Sequence, residues 1–143
     1  MAYGTPDDVA AKARPFSEDG HWVDPSEDYD IRGTNPTLAT VTTWLTDISN
    51  LMDVALGTSW FKTPVDPDTH PKAYSAIKDY VCSLVADQCF LVNGVERQVS
   101  SAGRTLKDLT EWVAKNADGL IALGLSQKAS PSIKTQASFR VVG

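Results

Sequence analysis

Three stretches, 36–56, 71–92 and 105–123, carry apolar residues at helical spacing, and they restrict this chain to a mainly helical fold. In the first, Leu38, Val41, Leu45, Ile48, Met52 and Ala55 recur at three and four, with Trp44 and Leu51 widening the stripe. Thr34-Asn35-Pro36 is read as its start and Gly57 as its end. The second opens at Pro71, runs through Ile77, Val81 and Val85, and stops at Asn93-Gly94. The third is capped near Thr105 and carries Leu106, Leu109, Trp112 and Val113 on one side. Asp118-Gly119 offers it one end and Leu123-Gly124 another, of which the longer is preferred. A short fourth helix is signalled by Thr5-Pro6-Asp7-Asp8, with Thr5 as cap, Pro6 at the first position and Asp8 closing a capping box, before Pro15 stops it. The expected fold is a small antiparallel bundle of four helices with long loops and an extended C-terminal tail. A helical domain over 1–125 would be followed by the tail at 126–143.

The tail differs in chemistry from the rest. From Leu120 to Gly143 there is no carboxylate, while Lys128, Lys134 and Arg140 are basic. Ile133, Thr135, Ala137, Phe139 and Val141 alternate with polar residues, which is strand periodicity. Pairing with a short hairpin at 90–98, addition to a partner chain, and a disordered tail all fit that pattern. Charge is divided along the chain. Residues 1–70 hold 12 acids and 4 bases, and residues 71–143 hold 6 acids and 9 bases. Opposite poles of this kind would steer head-to-tail contacts between copies, unless the halves interleave in the fold.

Chemistry of other kinds finds little support. A net charge of -5 argues against a nucleic-acid binder. Cys82 and Cys89 lie seven apart in one expected helix, about 10 Å along its axis, too far for a disulfide. They read as buried thiols. Asp66, Asp68 and His70 alternate in a proline-rich loop but match no metal-ligand spacing, so neither metal nor cofactor is expected. No glycine-rich phosphate loop and no poised acid pair is present, so no enzyme is expected. Met1-Ala-Tyr-Gly lacks a basic start and an apolar run, so no secretory segment is expected. No apolar run approaches a membrane span.

What remains is an interaction-prone domain. Residues 15–35 read as a long loop thick with acids and interrupted by Trp22, Val23, Tyr29 and Ile31. Trp22 is the best interface candidate in it, with Tyr29 beside it; Lys128, Lys134, Phe139 and Arg140 are the candidates in the tail. Trp60 and Phe61 are expected to plug the core at the end of the first long helix.

Three segments carry a family resemblance. They are the opening Tyr3-Gly4-Thr5-Pro6-Asp7-Asp8-Val9, the run from Asn35-Pro36-Thr37 into Val41-Thr42-Thr43-Trp44-Leu45-Thr46-Asp47-Ile48-Ser49, and the alanine-rich helix at 73–91. Together they resemble the head-tail connector proteins of tailed phages over residues 1–92. The resemblance implies a structural virion protein, a head-completion adaptor. Copies would form a ring, usually of twelve, beneath the portal protein at the virion neck, after assembly in the host cytoplasm. A stopper or tail-completion protein would dock on the ring's other face. The genome would pass through the channel without sequence-specific binding. The tail would engage a neighbour or the portal.

Overall fold

The computed structural model describes residues 2–28, 30–95 and 105–128. The described chain is mainly α: a four-helix bundle with no β-sheet. Helix α1 spans Pro6–Lys12, α2 Leu38–Thr58, α3 Pro71–Val92 and α4 Leu106–Ala122, with a single 3₁₀ turn at Arg14–Phe16 after α1.

Each start has a local cause. Thr5 and Asp8 form the expected capping box: the Thr5 hydroxyl accepts from the Asp8 N–H, and the Asp8 carboxylate accepts from the Thr5 N–H at 2.8 Å. α2 begins two residues later than expected, because Thr37 rather than Asn35 takes the cap, its hydroxyl accepting from the Thr40 N–H. A second partner comes from the acidic loop, where Asp24 Oδ1 accepts from the Ala39 N–H at 2.9 Å. Pro71 opens α3, and Thr105 caps α4 by accepting from the Asp108 N–H.

The three long helices end in one way. In each, the N–H two residues past the cap reaches back to a carbonyl of the last turn: Phe61 to Leu56, Val95 to Phe90, Leu125 to Leu120. That turn needs a left-handed residue. Gly94 and Gly124 supply it for α3 and α4, at φ +78° and +110°. In α2 the position is held by Trp60, at φ +69°. Gly57 does not end α2 as expected. It stays inside the helix, and the turn forms three residues later, where Phe61 and Leu56 are both buried and can clasp.

The hydrogen bonds at the ends give the bundle two poles. Asn93, at the end of α3, donates to the Asn35 carbonyl just before α2, at 2.8 Å, so α2 and α3 run in opposite directions. α4 ends beside the end of α2, where Gln127 Nε2 donates to the Ser59 carbonyl at 2.8 Å. One pole therefore gathers the ends of α2 and α4 with the loop that leads into α3. The opposite pole gathers the start of α2, the end of α3 and the acidic loop. The core between them is built from the expected stripes: Val41, Leu45 and Met52 of α2, Ile77 and Val81 of α3, Leu109 and Val113 of α4. Each such side chain contributes about 1.5–3 kcal/mol through burial. α1 packs along α3 and α2, and Tyr80 of α3 stacks on Trp112 of α4 with ring centroids 4.2 Å apart.

Candidate interaction surfaces

The acidic loop folds down through its aromatic residue. Trp22 is 3 % exposed, and its indole N–H donates to the Pro6 carbonyl at 2.9 Å. His21 Nδ1 meets Asp7 Oδ1 at 3.0 Å. Val23 and Thr34 are joined by backbone and side-chain bonds that close the loop's base. Trp22 is thus a core residue. The sequence pointed to an interface because acids surround it, but the ring is buried against α1 and its indole N–H finds an acceptor there in the Pro6 carbonyl. The acids stay outside: Glu27, Asp28 and Asp30 are exposed and, among the described residues, in no ion pair. Hydrogen bonding with the Asp30 and Ser26 side chains holds the Asp28 carboxyl below the usual range.

Lys128 is the one tail candidate among the described residues, and it is exposed. Its N–H donates to the Trp60 carbonyl at 2.6 Å, while Phe61 and Gln127 form an antiparallel bridge. The first residues of the tail therefore pair with the turn after α2 in their own chain. Tyr29, Lys134, Phe139 and Arg140 lie outside the described residues, as does the expected strand at 133–141; of the possible hairpin at 90–98, residues 96–98 lie outside them too, and 90–92 are the last turn of α3 rather than a strand.

Of the expected pair of core plugs, Phe61 is buried and Trp60 is 40 % exposed. Trp60 is the interface candidate that sequence reasoning missed. Its signal is conformational: a bulky residue occupies the left-handed position that glycine takes at the ends of α3 and α4.

Several polar and titratable groups of the interior have structural roles. Tyr3 is fully buried. Its hydroxyl donates to Asp53 Oδ1 and accepts from the Val65 N–H at 3.1 Å, and its own N–H donates to Ser49 Oγ at 2.9 Å. Burial raises the Tyr3 phenol and, against the pull of that hydrogen bond, the Asp53 carboxyl as well. Cys82 and Cys89 are buried, and burial pushes both thiols from 9.0 up to about 12, as expected of inert core cysteines. Asp66 accepts from the Asp68 N–H at 2.8 Å and from the Thr69 hydroxyl at 3.3 Å, which organises the turn into α3. Among the described residues no three His, Cys, Asp or Glu side chains gather closely enough to hold a metal, and no helix is long and apolar enough to cross a membrane.

Two of the surface concavities involve the long helices and the loop into α3. An open cavity of ≈ 480 Å³ lies between the 62–70 loop and Leu125–Ser126, with Lys62 and His70 on its wall. A smaller groove of ≈ 230 Å³ runs between α2 and α3, floored by Trp44, Ile48, Leu51 and Leu84. Asp66, Thr69, His70 and Ser126 share the wall of the first, and among the described residues no side-chain hydrogen bond joins the His70 ring to any of them. The exposed apolar residues are more telling. Ile31, Leu38, Leu91, Val92 and Val95 are between 37 % and 56 % exposed. The Asn35–Asn93 bond and the Asp24–Ala39 bond place the segments that bear them at one pole. No family model, no curated protein and no solved structure matches the chain.

Proposed function

We propose that this protein is a helical protein–protein interaction module. The observation that carries the reading is the pole at which Leu91, Val92 and Val95 close α3 beside the start of α2 at Leu38, all exposed, with Asp24 of the acidic loop bonded to the same helix start. Single exposed apolar residues are ordinary, whereas a cluster edged by charge is how interfaces look before their partner arrives. The second pole adds an exposed, left-handed Trp60 to which the base of a basic tail is bonded.

A more specific reading is the head-tail connector, an adaptor ring beneath a phage portal. Its support is the sequence resemblance over 1–92, and two of the segments that carry it meet in the fold through the Tyr3–Ser49 hydrogen bond. Native mass spectrometry of the protein, alone and with the portal ring from its own genome neighbourhood, tests both readings. A stoichiometric, twelvefold complex is expected of a connector. A folded protein that ignores the portal but binds copies of itself or another protein keeps the module and removes the connector.

A further inference from the structure

We infer that the apolar, acid-rimmed pole receives the C-terminal arm of a second copy of this chain, so that copies join head to tail. The inference rests on the interaction-module reading and names its partner.

The argument starts from where the arm leaves. Lys128 is bonded to Trp60 at the pole where α2 and α4 end. The receiving patch lies at the opposite pole, one α2 length away. α2 has 21 residues, so the poles are about 31 Å apart. Residues 129–143 extend to about 50 Å at most. An arm folded back on its own chain would use about nine residues to cross the body. Only the stretch from Phe139 onward would then meet the patch, and Ile133 and Lys134 would lie along the flank of α2. A second copy, set with its patch beside the first copy's arm base, meets the whole alternating segment.

The chemistry is complementary. The arm presents Ile133, Ala137, Phe139 and Val141 with Lys134 and Arg140 between them, and no acid. The patch presents Leu38, Leu91, Val92 and Val95, and Ile31 is exposed in the acidic loop. The acidic loop, tied to the start of α2 through the Asp24–Ala39 bond, carries exposed Glu27, Asp28 and Asp30 against one described cation in that stretch, Arg32. Apolar residues of the arm would cover apolar residues of the patch, while its two cations would face the rim. Because donor and receiver surfaces differ, the contact is heterologous. It closes into a ring if the rotation between copies permits and grows as a filament if it does not.

Two full-length variants make the test. Leu91→Asp with Val95→Asp spoils the patch and keeps the arm; both positions are exposed, so the fold should tolerate the change. Phe139→Asp with Arg140→Glu spoils the arm and keeps the patch. Native mass spectrometry and sedimentation should show the unaltered chain associating with concentration, and each variant alone losing every species above monomer. An equimolar mixture of the two variants should form 1:1 pairs and nothing larger, since one arm fits one patch and the series stops there. A mixture that stays monomeric overturns the inference. So does an unaltered chain that remains monomeric while hydrogen exchange at 91–95 slows only with its own intact arm, which would place the arm on its own body. A monomeric chain that nevertheless binds the portal ring also overturns it and leaves the connector reading standing. Head-to-tail association without portal binding does the reverse.

Discussion

Trp60 holds a left-handed backbone that most side chains avoid, and it does so at a helix end where its two counterparts are glycines. Relief of about 1–3 kcal/mol of strain is available there and has not been taken. Trp60→Gly should leave urea-unfolding stability within about 1 kcal/mol of the parent, since relieved strain offsets lost packing. The same change should weaken association by about tenfold or more, as loss of a buried aromatic anchor does. Equal loss of stability and association would mark Trp60 as structural only. Gly4 is the contrasting case. Its φ is +95°, and an added Cβ would sit 2.8 Å from Cys82 Sγ. Gly4→Ala should therefore lower the unfolding free energy by about 2 kcal/mol or more. The buried thiols give a pH signature. A thiol raised from 9.0 to about 12 holds its proton longer when folded. Between those values the native state binds more protons than the unfolded chain, so stability is intact below pH 9 and falls as pH climbs toward 12. Replacing Cys82 and Cys89 with alanine should flatten that alkaline decline, read from denaturation midpoints across pH.

At the scale of the element, α2 depends most on its surroundings. Threonines 40, 42, 43 and 46 depress its intrinsic propensity. Thr42 and Thr43 turn their hydroxyls onto the carbonyls of Leu38 and Ala39, at 2.8 and 3.1 Å, instead of leaving them to solvent. Its first turn is finished from outside by Asp24, which accepts from the Ala39 N–H. Asp24→Ala should cost about 1 kcal/mol in urea unfolding, as much as loss of an ordinary cap, although Asp24 lies 14 residues before the helix. The four helices were legible in the sequence because periodicity and capping are local. Thr5, Pro71, Asn93-Gly94 and Thr105 mark their boundaries as expected, and α4 takes the longer of its two readings. The ends of α2 were not legible. Thr37 won over Asn35 by reaching the Thr40 N–H, and Gly57 was passed over because Leu56 and Phe61 needed the next turn to bury together.

For the whole molecule, the poles decide how charge and apolar surface are used. If the arm and the acid rim meet between copies, association should weaken as ionic strength rises past the range where the screening length falls below about 8 Å. Sedimentation at stepped salt measures this, and an apolar contact without charged partners would hold or tighten instead. The amino-acid sequence by itself determined a mainly helical chain, where most helices begin, that both cysteines lie on a buried face, and that the tail is basic and alternating. Each of these follows from the spacing of neighbours along the chain, which needs no knowledge of distant contacts. Only the tertiary structure decided that Trp22 is core and Trp60 is surface, since burial depends on which carbonyl or side chain arrives from elsewhere, here Pro6 for one ring. Only the tertiary structure set Tyr3 between Ser49, Asp53 and Val65, across sequence separations that no local pattern encodes. The two poles arose in the same way. Leu38 and Leu91 are far apart along the chain, and the Asn93–Asn35 hydrogen bond brings their helix ends together.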